Sequence, residues 1–496
     1  SLRSREGACV VVLAALAAAR VFALAGAFPF FTNVDEHRHL DGVLKYARGY
    51  APRPDNSGYE PETARYLGMF GSPEYHLGSD PADVVPPPPW RRSSEAMLRR
   101  LERSEEFLER RNNLEAMQPP AYYAAAALWL RLGRAVGIQG GSLLYWVRGL
   151  AVPLVFALVC LAYGFGRRVY PDDAFMRLGV PALVAVFPMD VFFYITRDAL
   201  SPLIAGLGYC LALRLVTLPL SGVRAVVSTA LVMVVAFLAK YTNTALLVAC
   251  GVCTVLAVRR RPDARRLRGE GGRLLAMWVL IAVPVGAWLI RNRIVFGDIT
   301  ATAYKIERMG WGRRSPSEFF DHPIFTPSGL GTFVSELVPL FWRGELAWHR
   351  VPLAMPSADV FYTSTTLVFF LLALFGLRRR ERPIDRRLAE GMAWLLVAGY
   401  VAILAGLSPL YEFHETSNPS VDMPYFVQGR LISGALLPFA VVYVRGAQVA
   451  AGALPARYAS VAAWALLGLA VAVSMVSEGF LHAPIFASEY NLFHLP

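Results

Sequence analysis

Long apolar runs alternate with short polar breaks along most of this chain, and the runs are too long for strands. The hydrocarbon core of a bilayer is about 30 Å thick and is crossed by an α-helix of about 20 residues. Runs of that order recur from Ala8 to Gly479, so the pattern predicts an all-α polytopic membrane protein. The predicted spans are Cys9 to Phe31, Leu143 to Phe165, Ser201 to Leu218, Arg224 to Leu238, Thr242 to Val258, Leu274 to Ile290, Val360 to Leu377, Ala389 to Leu407, Leu431 to Tyr443 and Val461 to Val476. One more crossing between Asp173 and Thr196 brings the count to eleven. The first run is read as an anchor, because no small-residue cleavage pattern follows it.

Charge orients these helices. Arg-rich loops from Arg259 to Arg273 and from Arg378 to Arg387 carry the positive-inside signature of cytoplasmic loops. Alternation from there puts the N-terminus inside, the C-terminus outside, and three regions outside: Phe31 to Gly141, Arg291 to Asp359 and Ser408 to Gly429. It also puts Arg197, Asp198 and Lys240 at outer turns. The segment Pro119 to Val136 would break this alternation if it crossed, but its apolar stretch, Ala121 to Leu130, is only ten residues long. Ala121 to Leu132 is therefore predicted to lie at the outer interface. Two modules result: residues 1–300 with the outer loop 31–141, and residues 301–496 with the outer loops 291–359 and 408–429. No internal repeat is evident, which weighs against repeat-built transporter folds.

The net charge of +12 would point to nucleic acid on a soluble face, but much of the excess sits in the short Arg-rich loops. Nearly all of the basic residues are Arg, the lysines being Lys45, Lys240 and Lys305. Cys250 and Cys253 have redox or zinc spacing without a second pair, and read as small apolar helix residues.

Chemistry concentrates at the helix ends. Asp35 and Glu36 follow the first span, where ionised groups are costly unless partnered, solvated or used; the end of a helix at the water boundary is the alternative. Arg197, Lys240, Arg291, Arg293 and Arg430 supply cations on the same face. A carboxylate beside cations suits group transfer away from a phosphate: the base takes the acceptor's proton while the cations stabilise charge on the leaving oxygen. Competing readings are open at several positions. Asp198 could cap the helix starting at Ala199, Lys240 could snorkel, Arg291 could contact lipid headgroups, and Arg430 could pair with Asp422 or Glu415. Gly429 would let the backbone approach a ligand closely. His39 lies four residues from Asp35, so a divalent metal is an open alternative there, although no recognised zinc spacing is present. Trp342, Trp348, Tyr411, Phe413 and Tyr425 fit either sugar stacking or an interfacial aromatic belt.

Several motifs occur in order over most of the chain. They are Asp35-Glu36, Gln118-Pro119-Pro120-Ala121-Tyr122-Tyr123, Arg197-Asp198-Ala199-Leu200, Leu238-Ala239-Lys240-Tyr241-Thr242, Arg291-Asn292 with Phe296-Gly297-Asp298, and Gln428-Gly429-Arg430. In these the chain resembles the GT-C class of integral membrane glycosyltransferases, within its bacterial branch of otherwise uncharacterised membrane proteins. The resemblance implies a GT-C fold in the cytoplasmic (inner) membrane and inverting transfer from a polyprenyl-phosphate-sugar donor on the extracytoplasmic side. The acceptor it implies is a cell-envelope glycan, lipid or protein. Asp35 or Glu36 would be the base; Lys240, Arg430, Arg291 and Arg197 would bind the donor phosphate. Asp198 would be the second acidic position, departing from the commoner pattern in its preceding Arg197. His39, Tyr122, Trp342 and Gln428 are candidate acceptor or sugar contacts. No cofactor and no nucleic acid partner are implied. Two other classes compete: a polysaccharide polymerase or ligase using a lipid-diphosphate donor, and a lipid-linked glycan flippase or transporter.

Overall fold

The computed structural model describes residues 2–78, 84–115, 117–218, 222–260, 264–377, 383–415 and 418–496, with the side chains of 2–4 and 264–269 left aside. The middle of the predicted loop from Arg259 to Arg273 and the start of that from Arg378 lie outside the described residues. The protein is all-α. Among the described residues its short strands form two pairs, Gly312–Arg313 with Tyr411–Glu412 and Ala347–Trp348 with Val351–Pro352, both antiparallel.

In chain order the helices are α1 (Leu2–Ala27), α2 (Glu36–Ala47), α3 (Pro61–Phe70), α4 (Ser94–Glu109), α5 (Ala121–Ala135), α6 (Gly140–Arg148), α7 (Ala151–Val169), α8 (Ala174–Val186), α9 (Ser201–Thr217), α10 (Gly222–Ala239) and α11 (Thr244–Arg259). They continue as α12 (Ala264–Phe296), α13 (Thr302–Met309), α14 (Pro327–Arg343), α15 (Pro356–Leu377), α16 (Ile384–Leu407), α17 (Leu436–Ala451) and α18 (Ala456–His482). Among the described residues, ten helical segments are long and apolar enough to cross a membrane. The predicted count of eleven includes one helix below that length. The remaining crossing is the 13-residue helix α8, which Pro188 stops because the residue before a proline is driven out of the α region. The chain goes on through a buried 3-10 turn, Asp190–Phe192.

α5 is 15 residues, about 22 Å at 1.5 Å per residue, which is short of the hydrocarbon thickness. It packs against α2, and Arg131 Nε donates to the Ala47 carbonyl at 2.8 Å. Leu40, Leu44, Tyr123, Ala127 and Leu130 form a small apolar core beneath the polar region.

The main core draws on both halves of the chain. It runs from Val10 on α1 to Ile485, with α17 buried on nearly every side among α8, α15, α16 and α18. Apolar side chains outside that core, such as Val283 and Ile290 on α12 and Leu371 and Phe375 on α15, face outward, as crossing helices require. At one end of the bundle the spans break into 3-10 turns, Arg197–Leu200 before α9, Tyr241–Asn243 before α11 and Gly429–Ala435 before α17. Backbone is tolerated in such forms at the bundle only where it is buried in protein or lines a cavity. These three turns pack together and carry the site.

Candidate functional site

α1 ends at Ala27 and α2 begins at Glu36, with Asp35 between them as the N-cap residue. Its φ of 64° is left-handed, a conformation that Asp tolerates better than most non-glycine residues. The carboxylate makes no cap. It pairs with Arg38 Nη1 at 3.2 Å, keeps 29% exposure and lines a cavity of about 1080 Å³.

Its neighbour is turned the other way. Glu36 is fully buried, with Oε1 2.6 Å from Arg148 Nε and Oε2 2.7 Å from Arg148 Nη2. The backbone N–H groups of Ile195 and Thr32 also donate to it, at 2.8 and 3.2 Å. Arg148 in turn donates to the carbonyls of Ala25, Phe28 and Pro29. Every oxygen of Glu36 is committed, so it is a structural staple between the end of α1, α2 and α6. The reading of Glu36 as an alternative base is corrected on that ground.

The three turns bring a chain of opposite charges together. Asp198 is fully buried between Lys240 Nζ, which hydrogen-bonds its Oδ1, and Arg430 Nη1, 3.6 Å from its Oδ2. Lys240 also donates to the Arg430 carbonyl at 2.7 Å. Thr196 caps the turn instead, its hydroxyl accepting from the Asp198 N–H at 3.2 Å, which leaves the Asp198 carboxylate for its cations. Arg430 Nε donates to Glu345 Oε2 at 2.7 Å, so its pairing is with Glu345 rather than with Asp422 or Glu415. Arg197 lies 3.2 Å from Glu115 and 3.9 Å from Asp198, and Lys305 holds the other oxygen of Glu115. Four cations, Lys305, Arg197, Lys240 and Arg430, thus face three carboxylates, Glu115, Asp198 and Glu345. Arg197 Nε is buried without a hydrogen-bond acceptor, and Nη1 meets Glu115 only as an ion pair. Asp35, Asp198 and Lys240 come from the first half of the chain, Arg430 and Glu345 from the second.

Burial would raise Glu115, but Lys305 and Arg197 hold it well below the usual carboxylate range. Burial raises Glu345 despite Arg430, and pushes Asp190 up to about 7. Asp190 accepts the Glu345 N–H at 2.8 Å, beside Gly344, whose φ of +87° and close approach leave no room for a Cβ. Asn33 ties this segment to the Asp35 loop by accepting from the Ala347 N–H at 3.0 Å. Asp35 consequently lies close enough for its charge to act on both Arg430 and Glu345.

Other predicted residues go elsewhere. Arg291 stacks over Trp288 and donates to the Pro52 carbonyl at 2.6 Å, fastening the first polar region to α12 and taking no part in the ionic chain. Arg293 donates to the Gly297 carbonyl. Trp342 is fully buried, stacked on Tyr362 and Phe187, with its N–H on Thr366; it is core, not a sugar platform. Tyr122 is likewise buried in the small core with Tyr123. His39 turns inward onto the Tyr123 hydroxyl at 2.9 Å, and burial lowers it to about 4. Among the described residues no group of three or more His, Cys, Asp or Glu is arranged to hold a metal ion. Gln428 is buried and donates to Asn418 Oδ1 at 3.0 Å. Gly429 does allow a close approach, but to the α14 backbone at Leu340 and Phe341 rather than to a ligand.

Glu115, Glu345, Arg148 and Asp190 carry no motif that sequence reasoning could use. A signal did exist for the lysines: Lys45 pairs with Asp41 at 2.9 Å, Lys240 with Asp198 and Lys305 with Glu115, so each lysine meets a buried carboxylate.

Fold and site together define a polytopic helical membrane protein with a largely buried ionic network at one end of its bundle. The chain belongs to the family described as "Predicted membrane protein (DUF2142)", whose model matches residues 21–417. No curated protein matches it in sequence. Among solved structures it is similar to the archaeal oligosaccharyltransferase AglB from Archaeoglobus fulgidus, determined in complex with an inhibitory peptide and a dolichol-phosphate. The identity is 10%, the TM-score 0.42, and the match covers 98% of this chain and 56% of that one. The chain therefore spans about half the length of that enzyme.

Proposed function

We propose that this protein is a GT-C glycosyltransferase that moves one sugar from a polyprenyl-phosphate carrier to a cell-envelope glycan, lipid or protein. Transfer takes place at the extracytoplasmic face of the cytoplasmic membrane. The observation that carries this reading is the pairing of one cavity-facing carboxylate, Asp35, with a buried network that holds more cations than carboxylates. Asp35 takes the proton of the acceptor hydroxyl, whose oxygen attacks the anomeric carbon from the face opposite the phosphate. The bond from that carbon to the phosphate oxygen breaks, and polyprenyl phosphate leaves with inverted configuration at the sugar. Charge gathering on the leaving oxygens is met by Arg430, Lys240 and Arg197, whose Nε has no hydrogen-bond acceptor. A preorganised cationic site of this kind supports a lipid-phosphate donor over a flippase cargo, since the charges sit at helix ends rather than along a transport path.

The test is transfer from a synthetic polyprenyl-phosphate sugar by the purified full chain in nanodiscs. Asp35→Asn should lower turnover by at least about a hundredfold, as for a lost general base. Near-normal turnover in that variant would remove Asp35 from the mechanism.

A further inference from the structure

The cavity beside Asp35 is strongly basic. Its walls come from the segment after α1, the end of α3, α4 with the residues following it, and α13. Arg38, Arg100, Arg103, Arg110, Arg111 and Arg308 line it against a single carboxylate, Asp35. α4 sorts its charges to this end: Arg100 and Arg103 face the cavity, while Glu102, Glu105, Glu106 and Glu109 do not line it. Glu105 pairs instead with Arg65 at 3.3 Å.

Two of the arginines have structural duties. Arg38 pairs with Asp35, and Arg100 donates to the carbonyls of Gly68 and Gly71 at 2.7 and 2.6 Å. Arg103, Arg110, Arg111 and Arg308 have no carboxylate partner among the described residues. Arg111 lies over the Phe107 ring with its Cζ 3.8 Å from the centroid, and Arg308 over Tyr304 at 4.5 Å. Stacking of that kind holds a guanidinium flat and leaves its edge N–H groups for an anion. Like charges gathered round one hollow repel each other and favour an anionic occupant. The volume of about 1080 Å³ reaches beyond the ~300–1,000 Å³ of sites for drug-sized molecules.

We propose that this cavity seats an acidic stretch of the acceptor, a glycan bearing carboxylate or phosphodiester groups, on Arg103, Arg110, Arg111 and Arg308, with a hydroxyl presented to Asp35. That the occupant is a glycan and an acceptor rests on the transferase reading; that it is anionic does not. The test measures binding to the full chain in nanodiscs of three probes of matched length: oligogalacturonate, oligo(glycerol phosphate) and a neutral malto-oligosaccharide. At least one anionic probe should bind ten times or more tightly than the neutral one, with affinity falling as salt rises, and the two anionic arms separate carboxylate from phosphodiester. Arg103→Gln with Arg110→Gln should weaken that binding by at least about tenfold. Arg99→Gln, exposed on α4 and paired with Glu95 outside the cavity, should leave it unchanged. Asp35→Asn should bind the anionic probe at least as tightly while failing in transfer. Failure of transfer by the intact protein with anionic binding retained would therefore sink the transferase reading and leave the site standing. No binding of either anionic probe, equal binding of the neutral one, or unchanged binding in the double variant would overturn the site.

Discussion

Glu36 and Arg148, 112 residues apart in sequence, meet in a two-pronged ion pair at 2.6 and 2.7 Å, and neither side chain reaches solvent. The same pair sets the position of its neighbour, because locking Glu36 inward leaves Asp35 facing the cavity.

Removing one partner of a buried ion pair strands the other charge, at a cost of about 3–5 kcal/mol. Glu36→Gln is therefore expected to lower the thermal unfolding midpoint sharply and reduce the yield of folded protein. Asp35→Asn, whose carboxylate is part-exposed, should unfold like the wild type. Thermal unfolding of the two purified variants distinguishes them, and wild-type behaviour of Glu36→Gln would show that the carboxylate is not a staple.

Lys240 has two partners to answer to, Asp198 in the protein and, on the proposed mechanism, the phosphate of the donor. A charge-assisted hydrogen bond contributes about 1.5–3 kcal/mol, so Lys240→Met should weaken donor binding by roughly 10- to 150-fold. It also leaves Asp198 buried with Arg430 as its nearer remaining cation. Adding Asp198→Asn to Lys240→Met is expected to recover stability without recovering donor affinity. Donor titration and unfolding, measured on the two single variants and the double, separate the roles. Unchanged donor affinity and turnover in Lys240→Met would leave it as a partner for Asp198 alone.

The spanning helices were legible because length and apolarity suffice to mark them, and Asp35, Asp198, Lys240 and Arg430 were legible as charges at helix ends. Their partners were not. Glu115 and Glu345 lie in polar stretches where a carboxylate is unremarkable, and only the packing of three turns from distant parts of the chain shows Glu115 buried against Arg197 and Glu345 part-buried against Arg430. Trp342 was misread for a more local reason. Phe333, Leu337 and Phe341 mark the buried face of α14, and Trp342 sits beside them, so the helical period already pointed it into the core. Arg291 was misplaced because a cation at a helix end can equally well fasten a neighbouring backbone carbonyl, here that of Pro52.

Glu115 supplies a pH dependence. Its carboxyl is held below the ordinary value of 4.5 by Lys305 and Arg197. A carboxylate depressed in the folded state binds fewer protons than in the unfolded chain, so it adds stability that is fully present above that ordinary value. That stability is lost as pH falls through the lower, folded value. Glu115→Gln should be less stable than wild type at pH 7, and the difference should shrink as the pH is lowered below about 4.5. Denaturation measured from pH 7 down to pH 3 checks this; a constant difference across the range would mean that Glu115 stabilises through something other than its charge.

Sidedness is the prediction most open to direct contradiction. Asp198 is fully buried, so it is unsuited to labelling, whereas Arg103, Val421, Arg167 and Arg260 are exposed. Arg260 follows α11, whose 16 residues carry the chain about 24 Å from the turn holding Lys240. In a cysteine-free background an impermeant maleimide should modify Arg103→Cys and Val421→Cys in intact spheroplasts. It should modify Arg167→Cys and Arg260→Cys only after permeabilisation. The reverse pattern would put Asp35 and the ionic network on the cytoplasmic side. Cytoplasmic arginine loops could not then explain the orientation, and a donor presented on the extracytoplasmic leaflet could not reach the site.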